Sequence, residues 1–211
     1  MKRSTAYTTC IAEAAEWRLI GLLLERPRVG WHDEVAALAG EVRNDALRDT
    51  ADAACTASEG MYLNVLGPGG VVSPREVTYQ PFADPGQLLA ALATIYETFA
   101  FRPRVEEPLD HIAVEVAFVG YLLLKEAFAL ARGDRAAAAT TGDARRGFIE
   151  GHLAAFGGTL AQRLESIGPS YVLRTARLLA DRLPVSPTVQ LPPAALDVPD
   201  VCGACDLTSS D

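Results

Sequence analysis

The sequence predicts an all-α fold, a single-domain helical bundle, on three observations. Alanine and leucine alternate with arginine and glutamate while strand-forming residues are sparse, which is the composition of good helix formers. Apolar residues recur at three- and four-residue spacing over most of the first 183 positions, the period of one helix face. Glycine and proline clusters fall between these stretches and punctuate them. With 211 residues, 49% of them apolar, one sizeable core is within reach.

The elements follow in order. From Ala6 to Glu25, Ile11, Ala14, Ala15, Trp17, Leu19, Leu22 and Leu23 keep helical spacing until Arg26-Pro27 ends the run. Helices are expected over Glu34 to Val42 and Asp45 to Leu66, the latter interrupted near Gly60, before Gly67-Pro68-Gly69-Gly70 stops the pattern. Val71 to Asp84, with Pro74 and Pro81, reads as an ordered loop or a short extended piece crossing the bundle. Asp84-Pro85 is an N-cap followed by proline at the first helical position, launching a helix to about Ala100 with Leu88, Leu89, Leu92, Ile95, Tyr96 and Phe99 inward. Pro108 to Arg132 is apolar nearly all round, through Ile112, Val116, Val119, Leu123 and Phe128, and belongs at the centre of the bundle, ending at Gly133. Asp134 to Ile167 supplies one or two helices broken near Gly157-Gly158, and Pro169 starts a last one through Leu183. Residues 1–183 thus form the helical domain, and 184–211, with five prolines and no helical period, a mobile tail.

The formal net charge of −8 repels phosphate backbones and anionic lipid and attracts basic partners, which disfavours a DNA-binding regulator. The first ten residues lack a signal-peptide core, and the apolar runs fall short of the ~20 residues a membrane-spanning helix needs. A cytoplasmic protein is expected. Cys10, Cys55, Cys202 and Cys205 are too few and too unevenly spaced for a disulfide framework.

Two constellations could carry chemistry. In Glu107-Pro108-Leu109-Asp110-His111-Ile112-Ala113-Val114-Glu115, Pro108 favours a helix start, and acids in the first turn suit the helix dipole. Adjacent helix positions project about 100° apart, so Asp110 and His111 do not form an acid–base dyad. Glu107, His111 and Glu115 repeat every fourth residue and would share a face of a helix regular from Pro108. The alternative reading of this stretch is a surface or boundary histidine with ordinary hydrogen bonds. Cys202-Gly203-Ala204-Cys205 could hold half a zinc site or exchange disulfides, but neither two further ligands nor a helix N-terminus is visible nearby. His152, with Glu150 two residues away, does not form the Glu-x-x-His pattern of di-iron bundles.

Glu-Pro-x-Asp-His-Ile-x-x-Glu opening a long apolar helix resembles the signature of the redox-enzyme maturation chaperones, the family of the trimethylamine-oxide, dimethyl-sulfoxide and nitrate reductase chaperones. Trp17 to Pro27 looks like the family's first helix, Phe148-Ile149-Glu150-Gly151-His152-Leu153-Ala154-Ala155-Phe156 is similar to its aromatic, His-Leu, aromatic element, and Tyr171-Val172-Leu173 resembles its closing helix. The resemblance implies an all-α chaperone, neither enzyme nor cofactor carrier. Its partner would be the apo catalytic subunit of a molybdenum-cofactor oxidoreductase, held through an N-terminal or twin-arginine leader segment before export. Pro108, Asp110 and His111 would lie near the groove, Glu107, Asp110 and Glu115 would supply carboxylates to guanidinium groups, and Tyr79, Tyr96 and Phe99 would wall the cleft or pack in the core. Replacing Asp110 or His111 by Ala is expected to weaken client maturation and leave melting nearly unchanged. The competing class is a metal-dependent enzyme using Glu107, His111, Glu115 and His152, and a third is a subunit retained in the mature complex. Monomer and dimer are both compatible with the sequence.

Overall fold

α1 (Lys2–Leu23) and α6 (Ile112–Arg132) lie antiparallel and form the spine of the bundle. Small residues let their backbones approach: a Cβ added to Gly120 would sit 3.5 Å from the Ala14 carbonyl oxygen, and one added to Gly21 equally close to that of Ala113. Around this pair the computed structural model, which describes residues 2–184, arranges α2 (Trp31–Glu41), α3 (Asp45–Ala53), α4 (Glu59–Leu66), α5 (Pro85–Thr98), α7 (Arg135–Phe148), α8 (Ala154–Leu164) and α9 (Ser170–Ala180). One contiguous core runs through them, anchored by Trp31, Tyr62, Phe118, Phe156 and Tyr171. The all-α single-domain bundle read from the sequence is the fold observed.

Local signals explain most boundaries. Asn44, Ser58, Asp84 and Asp134 each accept a hydrogen bond from the backbone N–H three residues on, which satisfies one of the orphan donors of a helix start. Gly133 closes α6 in the left-handed region at φ 77°, where a Cβ is penalised. The last carbonyls of α1 are capped from a distance: the Trp31 indole donates to the Leu22 oxygen at 2.9 Å, and the Tyr62 hydroxyl to the Leu24 oxygen at 3.3 Å.

Several expectations are corrected. The stretch Asp45–Leu66 is two helices, and the break lies at Ala57-Ser58 because Ser58 caps a new start, so Gly60 sits inside α4. α7 and α8 run on without a break at Gly157-Gly158, joined by a π-helical turn at Ile149–Leu153. Gly157 is small because Leu183 packs on it: a Cβ there would lie 2.4 Å from the Leu183 Cδ1. Phe128, expected inward, is 64% exposed, because α6 is buried all round only in its first half. The tail at 184–211, with Cys202 and Cys205, lies outside the described residues except for Pro184. Among the described residues, no helix is long and apolar enough to cross a membrane.

Candidate functional site

The start of α6 is set by pairing with a distant segment. The Ile112 N–H donates to the Pro74 oxygen and the Glu76 N–H to the Asp110 oxygen, both at 2.9 Å, making an antiparallel bridge between Arg75 and His111. This holds His111 extended, at φ −79° and ψ 134°, so the helix begins at Ile112 and not at Pro108. The loop from Val71 to Asp84 is therefore both things the sequence allowed: extended where it crosses α6, then a 3₁₀ turn over Glu76–Tyr79. The shared face of Glu107, His111 and Glu115 does not exist, since a common face requires one continuous helix. Glu107 lies outside it, 3.9 Å from Arg26.

Asp110 and His111 are inward-facing. The Asp110 carboxylate is fully buried and receives the Arg75 guanidinium through Nε at 2.9 and 3.2 Å and Nη2 at 2.9 Å, with the Val77 N–H at 3.4 Å. That fork-like pairing pins the crossing loop to the helix start. The His111 Nδ1 accepts the Ala113 N–H at 3.2 Å, and Nε2 lies 3.1 Å from the Tyr62 hydroxyl oxygen. Because Nδ1 accepts, the proton sits on Nε2 and is donated to Tyr62, whose own hydroxyl proton goes to Leu24. His111 is thus a neutral N-cap joining α1, α4 and α6. Burial drives its pKa down to about 4, with the Asp110 carboxylate opposing and Arg75 reinforcing the shift. Burial also raises the Tyr62 hydroxyl. Substitution at either residue removes internal bonds, so the expectation of unchanged melting is withdrawn.

Below the loop lies a carboxylate cluster that the sequence did not reveal. Glu76 and Glu115 are both fully buried. His152, presented by the π-helical turn, places Nδ1 3.0 Å from Glu76 Oε2 and stacks on Phe148 at 4.8 Å, while the Gln80 amide donates to Glu76 Oε1 at 2.5 Å. Neither carboxyl oxygen of Glu115 makes a hydrogen bond of ordinary geometry. Burial above all, then the neighbouring Glu76 and Asp110 carboxylates, push its pKa well above the ordinary value. Glu115 is held neutral. The only sequence signal for Arg75 and Glu76 was two charges between Pro74 and Pro81; their destination is tertiary.

Tyr96 belongs to the core, its hydroxyl donating to the Leu109 oxygen at 3.0 Å and its ring packed on Phe118. Tyr79 is half-buried, with its hydroxyl on the Ser73 oxygen at 2.8 Å and the Arg163 guanidinium 4.6 Å above its ring. The metal-enzyme reading fails on geometry: Glu107 faces Arg26, both His111 nitrogens are engaged, His152 faces Glu76, and Glu115 faces inward. Among the described residues, no group of three or more His, Cys, Asp or Glu could hold a metal ion.

Beside the capped segment runs a groove of about 620 Å³ that contains none of the predicted site residues. α1 and α6 form its floor through Ala14, Ala113, Val114, Ala117 and Gly120, and the arch 100–105 roofs it. Ala100, with a non-glycine φ of 55°, turns the chain into that arch. Tyr121 and Lys125 hold the arch from below, donating to the Phe99 oxygen at 2.9 and 2.8 Å. Glu25 lines the inner end; burial raises its pKa while Arg18 and Arg28, 3.6 and 3.8 Å away, oppose the shift. At the other end Leu124 lines the groove, and Phe128, one turn further along α6, extends its exposed apolar surface.

In this all-helical bundle the motif aspartate and histidine are spent on internal bonds that fix the start of α6, and the open groove lies beside them. Residues 34–162, from α2 through nearly all of α8, match the family described as nitrate reductase delta subunit. The match covers more than half of the chain, and the protein belongs to this family of redox-enzyme maturation chaperones, which are not catalysts. No curated protein and no solved structure matches the chain significantly.

Proposed function

We propose that the protein binds an N-terminal segment of the apo catalytic subunit of a molybdenum-cofactor oxidoreductase in the groove between α1, α6 and the arch 100–105, and holds that subunit while cofactor is inserted before export. The observation that supports this is the open apolar floor from Val114 to Leu124, continued by exposed Phe128, on a chain of a chaperone family. An amphipathic client segment would bury its apolar face there, in the helix-in-groove manner. The guanidinium groups of a twin-arginine leader would meet Glu106 and Glu107, which follow directly on the arch. In this reading Asp110 and His111 are positioning residues: they fix the start of α6 and hence the floor at Ala113 and Val114, and they do not touch the client.

Titration calorimetry of the protein with N-terminal peptides of molybdoenzyme catalytic subunits tests the proposal. Leu124→Asp, at a position 52% exposed, is expected to abolish the heat of binding and leave the melting temperature close to wild type. Binding unaffected by that substitution places the client elsewhere.

A further inference from the structure

The loop 71–84 that crosses the start of α6 is seated on polar side chains. Val72, Pro74 and Glu76 are buried, whereas its apolar Val71 and Phe82 are 65% and 93% exposed. Past Pro74 the loop is held chiefly by polar bonds: the backbone bridge to Asp110 and Ile112, Arg75 on Asp110, and Gln80 and His152 on the buried Glu76 carboxyl. The Tyr79 ring on Phe156 adds one apolar contact. An element attached in this way has little apolar area to expose when it leaves, so it opens at lower cost than the core beneath it.

Beneath the loop Glu76 meets Glu115 of α6, and two buried carboxyls side by side form a hydrogen bond only when one carries a proton. Neutral Glu115 gives its O–H to the Glu76 carboxylate, and its oxygens have no other hydrogen-bond partner among the described residues. The charged and titratable groups around the pair are Arg75 on the loop, Asp110 before α6, Tyr96 of α5 and His152 of the π-helical turn. Arg75 is engaged by Asp110 and His152 by Glu76, so an ionised Glu115 would have no cation of its own there. We propose that the loop 71–84 is a proton-locked strap: the proton shared by Glu115 and Glu76 holds it on α6, and loss of that proton to solvent lifts it while the helical core stays folded. Lifting carries the Glu76 carboxyl to water, exposes Glu115, and breaks the backbone bridge and the Arg75–Asp110 pair together. The seated strap binds one proton that the lifted strap releases, so lifting is favoured as pH rises. The consequence for the groove rests on the client reading above: the seated strap fixes the start of α6, and with it the floor at Ala113 and Val114, and the lifted strap frees both.

The test uses the whole chain without any client, so its failure leaves the groove reading standing, and failure of that reading leaves the strap untouched. Native-state amide exchange is followed at Glu76 and Ile112, whose N–H groups make the bridge, and at Val119 and Leu122 in the buried part of α6. In low urea, exchange at Glu76 and Ile112 should be insensitive to denaturant, as for an opening that exposes little surface, while Val119 and Leu122 follow global unfolding. Glu115→Gln keeps a donor to Glu76 but cannot ionise. The exchange rate at Glu76 and Ile112 in wild type, divided by that in Glu115→Gln at the same pH, should rise about tenfold per pH unit through neutrality, as one released proton requires. Equal urea dependence at all four amides means that the loop leaves only with the whole fold, and a ratio constant with pH means that no proton locks it. Either result overturns the proposal. The urea comparison is made on the wild type and so decides whatever the stability of the variant.

Discussion

The neutral, buried His111 imposes a pH dependence whose size follows from the structure. In the unfolded chain this imidazole titrates near 6.5; in the folded protein burial, reinforced by Arg75 and opposed by Asp110, depresses it to about 4. A depressed folded value means that its stabilisation is complete above about 6.5 and is lost as pH falls through 6.5 toward 4, because the unfolded chain binds the proton first. At about 1.4 kcal/mol per pH unit, the full loss is about 3 kcal/mol, of which about 2 kcal/mol has gone by pH 5. His111→Asn isolates this contribution. Asparagine can still accept the Ala113 N–H as an N-cap but does not titrate and does not reach Tyr62, so the variant loses about 1 kcal/mol at pH 7. Urea unfolding of both proteins from pH 7 to pH 5 should show the difference moving by about 2 kcal/mol against wild type, so that the variant is the more stable of the two at pH 5. The titrations of Glu25 and Glu115 are common to both proteins and cancel in the difference. An advantage independent of pH, or an imidazole resonance titrating near 6.5 in the folded protein, would refute the placement of His111 as a buried neutral cap.

Glu115 has the opposite sign. Its raised folded pKa means that stability is complete below about 4.5 and falls as pH rises above it. Glu115→Gln should therefore gain on wild type by about 1.4 kcal/mol per pH unit above that point for as long as the folded carboxyl stays protonated; parallel stability curves would show the carboxyl is not buried neutral. Asp110→Asn should cost about 2 kcal/mol, moderated because Arg75 is about one-third exposed, and should speed amide exchange at Glu76 and Ile112. Exchange unchanged at those two sites would mean that the Arg75 pair does not pin the crossing loop. Gly133→Ala, at φ 77°, should cost about 1 kcal/mol in thermal or chemical unfolding, and a neutral result would mean that α6 ends differently.

The local punctuation of this chain was legible residue by residue. Asp84-Pro85 caps and starts α5 and Gly133 ends α6 as read, and the helical stretch read from Asp134 opens with that residue as the cap of α7, because each of these acts through hydrogen bonds or dihedral preferences within a few residues of itself. The order of motifs from Trp17 to Tyr171 sufficed for the family. The candidate site was less legible. Glu107, Pro108, Asp110, His111 and Glu115 were read as one recognition edge, but they separate into a partly exposed ion pair, an exposed proline, a buried ion pair, a buried cap and a buried neutral acid.

What the amino-acid sequence determined by itself was the fold class, most helix boundaries and the central, apolar character of α6, because helix propensity, capping and amphipathic period are short-range properties. Only the tertiary structure decided where α6 begins and which way its first carboxylates face. The pairing of Pro74 and Glu76 with Ile112 and Asp110 supplies backbone hydrogen bonds from 34 to 38 positions away, and no helical period in the sequence encodes them. The same packing that turned Asp110 and His111 inward left the floor of the groove open between α1 and α6.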